Sequence, residues 1–155
     1  MTYRFLPMSD DHALSVAAWH YDPPFDFYDW EADPDDLAEL LDPDQRKDSY
    51  FAVLDEQDTL VGFFACHREG DAVDVGLGLR PDLTGRGHGL PFVLAGLAFA
   101  RERHVPFQRF QLAVAAFNER AIRVYQRAGF RQVGDVYLHR TNGGEHAYLR
   151  MERPA

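Results

Sequence analysis

The sequence predicts an α/β domain, a mixed sheet layered with helices, in a chain of 155 residues. Three observations point there. Apolar residues alternate with period two in some segments and recur at helical spacing in others, giving the order β-α-α-β-β-β-α-β-α-β-β. No linker, repeat or low-complexity stretch interrupts it. The apolar content of 46% at this length supplies one core, so a single domain over residues 1–155 is expected.

Each element has a local cause. Thr2 to Met8 reads as a strand, and Asp10 to His20 as a helix with Ser9 as its N-cap. Tyr21 to Glu31, with Pro23-Pro24, many aromatics and several aspartates, reads as a shaped loop. Asp35 to Leu41 aligns Leu37, Leu40 and Leu41 on one helical face. Ser49 to Asp55, Thr59 to Arg68 and Ala72 to Arg80 then form a meander whose first turn is Glu56-Gln57-Asp58. In its third strand Val73, Val75, Leu77 and Leu79 share one face, and Asp74, Gly76 and Gly78 the other. Glycines inside a strand mark a bulge or a backbone that admits a ligand. Leu90 to Arg103 is apolar nearly all round and reads as a buried helix, with Pro91 tolerated in its first turn. Phe107 to Ala115 is a strand, and Asn118 to Ala128 a helix capped by Asn118 and stopped at Gly129. Phe130 to His139 and Glu145 to Glu152 close the chain as a hairpin around Asn142-Gly143-Gly144.

Composition excludes several classes. The net charge of −9 argues against nonspecific nucleic-acid binding. That average hides a split: residues 1–75 carry 19 acidic and 4 basic side chains, net −15, and residues 76–155 carry 6 and 12, net +6. The second half would favour a polyanion and the first a cation, although such runs also serve as ordinary solvated surface. No signal-peptide pattern or apolar run of membrane-spanning length is present, so a cytoplasmic location away from the membrane is expected. Cys66 reads as a buried small hydrophobe, with His67 on the opposite strand face. The seven histidines show no metal-ligand spacing, so no metal is expected.

The run Leu79 to Gly89 carries the chemistry. It ends a strand, breaks into a turn with Gly85, Gly87 and Gly89, and opens a helix. Such a turn lets backbone N–H groups approach an anion closely, and the helix start adds unpaired donors and the positive end of its dipole. An ordinary tight loop would use the same glycines.

Thr84-Gly85-Arg86-Gly87-His88-Gly89, then Asn118, Ala121, Tyr125 and Ala128-Gly129-Phe130, resembles the GCN5-related N-acetyltransferase (GNAT) superfamily, and the element order follows that family along the whole chain. The resemblance implies a largely antiparallel sheet with splayed central strands, the acyl-CoA N-acyltransferase fold. It implies acetyl-CoA as cofactor, its pyrophosphate held by Thr84, Gly85, Arg86, Gly87, His88 and Gly89. Thr84 stands where the family has Arg or Gln, which removes one contact and leaves Arg86 nearby. The pantetheine arm would pair with the strand at Leu77 and Leu79, where an amide near Leu79 could stabilise the oxyanion, and Asn118 would touch the arm. Tyr125 matches the tyrosine that protonates the departing thiolate, a role a neutral phenol suits; a core tyrosine is the alternative.

Asp74 is the candidate base, with His67, His20, the loop aspartates and a chain of waters as competitors. In the family, the loop between the first two helices helps wall the acceptor site. Here Tyr21, Phe25, Asp26, Tyr28 and Asp29 make it aromatic and acidic, suited to the amine of a small molecule or peptide. The same aromatics would also serve as packing between helices and sheet. The expected function is therefore acetyl transfer to a primary amine by direct attack, in a monomer or homodimer. A non-catalytic acyl-CoA-binding sensor would keep the glycine turn. A nucleotide-binding protein fits less well, because the phosphate-binding loop ending in Gly-Lys-Ser/Thr is missing.

Overall fold

The computed structural model describes every residue except Asn142. The strands are β1 (Arg4–Pro7), β2 (Tyr50–Leu54), β3 (Leu60–Glu69), β4 (Ala72–Leu79), β5 (Arg109–Ala115), β6 (Arg131–Gln132), β7 (Tyr137–Thr141) and β8 (Gly144–Pro154). The helices are α1 (Asp10–Ala17), α2 (Pro34–Leu41), α3 (Pro43–Arg46), α4 (Gly89–His104) and α5 (Glu119–Arg127). The eight-stranded sheet has the order β1-β2-β3-β4-β5-β8-β6, with β7 on β8. It is mixed: β4 and β5 run parallel, whereas β1–β2, β2–β3, β5–β8 and β6–β8 are antiparallel. This is the mixed, largely antiparallel α/β architecture expected from the sequence. The residues group into two units, Met1–Ala65 with Leu77–Thr84 and residues 141–143, and Cys66–Gly76 with Gly85–Arg140 and Gly144–Ala155. Thus β3 and β4 each contribute to both.

In the first unit Ser9 caps α1 as expected: its hydroxyl accepts from the His12 N–H at 3.1 Å, and His12 Nδ1 accepts from the Ser9 N–H. The helix stops at Ala17, short of the expected His20, because Ala18 and Trp19 bond back to Ser15 and Val16 and tighten the last turn. Met8, Ala13, Val16, Ala17 and Leu40 form the core, flanked by Trp19, Trp30, Leu37, Tyr50, Leu60 and Phe63. Two Asp-Pro steps start α2 and α3, with Asp33 and Asp42 accepting from first-turn amides and proline at N1. The short helix α3 at Pro43–Arg46 is not expected from the sequence. Its terminal Arg46, 4% exposed, donates to the Met8 and Leu40 carbonyls at 3.2 and 2.8 Å and pairs with Asp10. The loop at 21–31 holds two 3₁₀ turns, Phe25–Tyr28 and Trp30–Ala32.

In the second unit α4 buries Phe92, Val93, Gly96, Leu97 and Ala100, one helical stripe, while Val73, Val75, Phe110, Leu112, Val114, Leu149 and Met151 are buried on the strands. The strand expected over Phe130 to His139 is instead two: β6 ends at Gln132, Gly134 takes φ +75°, and β7 starts at Tyr137. Asn142, the first residue of the expected hairpin turn, lies outside the described residues.

Candidate active site

The glycine turn belongs to the second unit from Gly85 onward. Gly85 and Gly87 have φ of +71° and +84°, which side-chain-bearing residues adopt at a cost. A Cβ on Gly87 would meet nothing within 4 Å, so the main chain there is open to a ligand. Gly89 has a different use. Its missing Cβ would lie 3.1 Å from Val124 Cγ2, so this glycine lets α4 approach α5. The first intrahelical bond of α4 runs from Phe92 N–H to the His88 carbonyl, and His88 makes no side-chain cap. Among the described residues none accepts a backbone hydrogen bond from the N–H of Gly87, His88, Gly89 or Leu90. These donors lie at the positive end of a 16-residue helix. Arg120 Nη1 lies 3.3 Å from where a Gly85 Cβ would be, so α5 brings a guanidinium to the turn besides Arg86. Arg120 stands just after the α5 cap, and only the packing of α5 on α4 gives that position meaning. Thr84, in the first unit, turns its hydroxyl to the Pro81 carbonyl at 2.8 Å.

Helix α5 starts where expected. Asn118, 9% exposed, accepts the Ala121 N–H at 3.1 Å and is the N-cap. Phe130 and Gly129 donate to the Tyr125 and Gln126 carbonyls at 2.9 and 3.0 Å, with Gly129 at φ +99°, so the helix ends in a Schellman motif. The Tyr125 ring packs edge-on to Phe130 at 5.9 Å and remains half-buried. Ala128-Gly129-Phe130 thus fixes the helix end that carries Tyr125.

Asp74 lies where β4 and β5 stop pairing. The parallel ladder joins Ala72 to Arg109, Val73 to Phe110 and Asp74 to Gln111, and within this unit Val75 and Gly76 of β4 and Leu112 and Ala113 of β5 lie beyond it. A Cβ on Gly76 would meet nothing within 4 Å. Burial raises the Asp74 pKa above the usual carboxylate range, and Glu69 adds to this, while His67, the Gln111 hydrogen bond and Arg150 oppose it. Of the competing bases, His67 stands next to Glu69 at 3.5 Å within the same group.

The acceptor loop lies in the first unit, as do Leu77 and Leu79. Tyr21 is tied at both ends: its N–H donates to Asp29 Oδ1 at 2.8 Å and its hydroxyl to the Leu79 carbonyl at 2.7 Å. Burial, with Asp29, pushes its phenol pKa strongly upward. Asp29 also accepts from His20 Nδ1 at 3.0 Å, a hydrogen bond that raises the His20 pKa, so both Asp29 oxygens serve the loop itself. Asp26 and Tyr28 are exposed and Phe25 is half-buried. Gly78 admits a side chain, because the Phe63 ring occupies the space its Cβ would need, with Cε1 at 2.5 Å.

Cys66 is buried as expected, yet it has a partner that His67 obscures in the sequence. His104, at the end of α4, places Nε2 3.6 Å from Cys66 Sγ. Burial, then Arg103, Arg68 and His67, lowers the His104 pKa, so a neutral imidazole faces a thiol that burial pushes up to about 11. This pair has the character of a core contact, not of an activated nucleophile.

Comparison with known proteins agrees with this geometry. Residues 3–131 match the acetyltransferase (GNAT) domain family. Spermidine N-acetyltransferase from Vibrio cholerae, solved in complex with CoA and spermine, superposes with a TM-score of 0.75 at 21% identity, covering 99% of this chain and 94% of that one. A GNAT-family acetyltransferase from Bacillus anthracis gives 0.75 at 14% identity, covering 99% and 95%. No curated protein matches the sequence. No helix among the described residues is long and apolar enough to cross a membrane. The family match spans most of the chain, and the chain belongs to the GNAT acetyltransferase family.

Proposed function

We propose that residues 1–155 act as one acetyl-CoA-dependent N-acetyltransferase, transferring to a primary amine of a small molecule or peptide by direct attack. The observation that carries this reading is the row of N–H groups from Gly87 to Leu90, which have no backbone acceptor among the described residues, beside the open Gly87 and the guanidinium of Arg120. Those groups fit a diphosphate: the amides supply directed donors, the helix adds its dipole, and Arg86 and Arg120 add charge. Bound there, acetyl-CoA supplies an activated thioester.

The chain's own residues would do the rest. Asp74 Oδ takes a proton from the acceptor ammonium, a task helped by the burial that raises its pKa. Tyr125 Oη gives a proton to the leaving sulfur, and Leu77 and Leu79 offer strand edges to the pantetheine arm. Asn118 orients α5 through its cap, and the amine is bound by the aromatic and acidic loop through Phe25, Asp26 and Tyr28, with Tyr21 and Asp29 holding the loop's shape. The Vibrio cholerae neighbour's spermine complex supports trying polyamines first.

The test is thiol release from acetyl-CoA with a panel of polyamines, aminoglycosides and peptide amines. Amine-dependent release supports the reading. Tight CoA binding with no release for any amine would instead make the chain a sensor.

A further inference from the structure

Gln111 is a buried polar side chain, 3% exposed, in a strand whose neighbours Phe110 and Leu112 are core residues. Such a carboxamide persists only where its donors and acceptor are satisfied. Gln111 Nε2 donates to Glu69 Oε2 and, at 3.4 Å, to Asp74 Oδ1, while its Oε1 accepts from Arg150 Nη2. The opposite amide orientation would set its oxygen against two carboxylates and its N–H₂ against a guanidinium, so the charges around it fix the rotamer. The frame is braced further out. Arg150 Nε reaches Glu152 Oε2 at 3.5 Å, Glu152 Oε1 meets Arg109 Nε at 3.5 Å, and Arg109 Nη1 pairs with Asp71 at 2.8 Å. Glu69 Oε1 is 3.5 Å from His67 Nε2. Asp74 and Gln111 are register partners in the last rung of the β4–β5 ladder, so both side chains leave the same face.

We propose that Gln111 is a positioning residue for Asp74, aiming its carboxyl and setting the pH at which it takes up a proton. This rests on the reading of Asp74 as the base. The groups that face Asp74 are His67 and Glu69 from β3, Gln111 from β5 and Arg150 from β8. Of these, Gln111 supplies a neutral donor that favours the carboxylate without the long reach of a full charge.

The experiment is a ¹³C NMR titration of the Asp74 carboxyl together with pH profiles of kcat/KM, in wild type, Gln111→Leu, Gln111→Met and Asp74→Asn, each checked for a native unfolding transition. In both Gln111 variants Asp74 should titrate about one pH unit higher, with the acidic limb of kcat/KM moving alongside it. In an Asp74→Asn background, Gln111→Leu should move no limb. An Asp74 titration unchanged in both folded Gln111 variants overturns the proposal, even where Asp74→Asn abolishes the limb. An Asp74→Asn enzyme that keeps the wild-type limb overturns the base reading and this inference with it, a different pattern of results.

Discussion

The Tyr21 hydroxyl donates to the Leu79 carbonyl at 2.7 Å, which ties the aromatic loop to the C-terminal end of β4. The same tyrosine's N–H holds Asp29, so one residue fixes the loop from both its backbone and its side chain. Tyr21→Phe keeps the ring and removes the bond. The expected loss of stability is about 1 kcal/mol, read by urea unfolding. Unchanged stability would show that water replaces the phenol without cost.

Gly78 and Phe63 form a second tie within that unit. A methyl at Gly78 would stand 2.5 Å from Phe63 Cε1, and Phe63 is itself held edge-on by Trp30 at 5.3 Å. Gly78→Ala should therefore cost about 1–3 kcal/mol through overpacking, seen as a fall of several degrees in Tm. The same change at Gly76, where a Cβ meets nothing within 4 Å, should cost clearly less.

Much of this architecture is legible in the residues. The alternation Val73, Val75, Leu77, Leu79 marks β4, and of these Val73, Val75 and Leu79 are buried. Ser9 and Asn118 cap the helices they precede, and Gly129 ends α5 at positive φ. What stays hidden depends on distant partners. Gly78 looks like a place for a ligand until Phe63 is paired beside it, and the missing side chain of Gly89 looks like a need of the anion loop alone until Val124 packs on it. Gln111 shows only as a polar residue on the face opposite Phe110 and Leu112. Its connection to Asp74 needs the β4–β5 register, which no local pattern states. His104 lies 38 residues from Cys66 and meets it only through the packing of α4.

The Cys66 pKa of about 11 has a direct consequence. Below that pH the buried thiol stays protonated in the folded chain, whereas an unfolded cysteine ionises at its ordinary, lower pKa. Alkylation by iodoacetamide at pH 8 should be slow in the native protein and rapid in denaturant. Fast native alkylation at pH 8 would mean that the thiol is exposed or activated.

The proposed acetyl transfer depends most on the amides that open α4. The direct measurement is an amide-resolved NMR titration of the ¹⁵N-labelled protein with CoA, with ATP as a control for generic phosphate binding. The expected result is saturable shifts with CoA, largest at Gly87, His88, Gly89 and Leu90. Saturable CoA binding whose shifts fall elsewhere, or no binding at all, would contradict it.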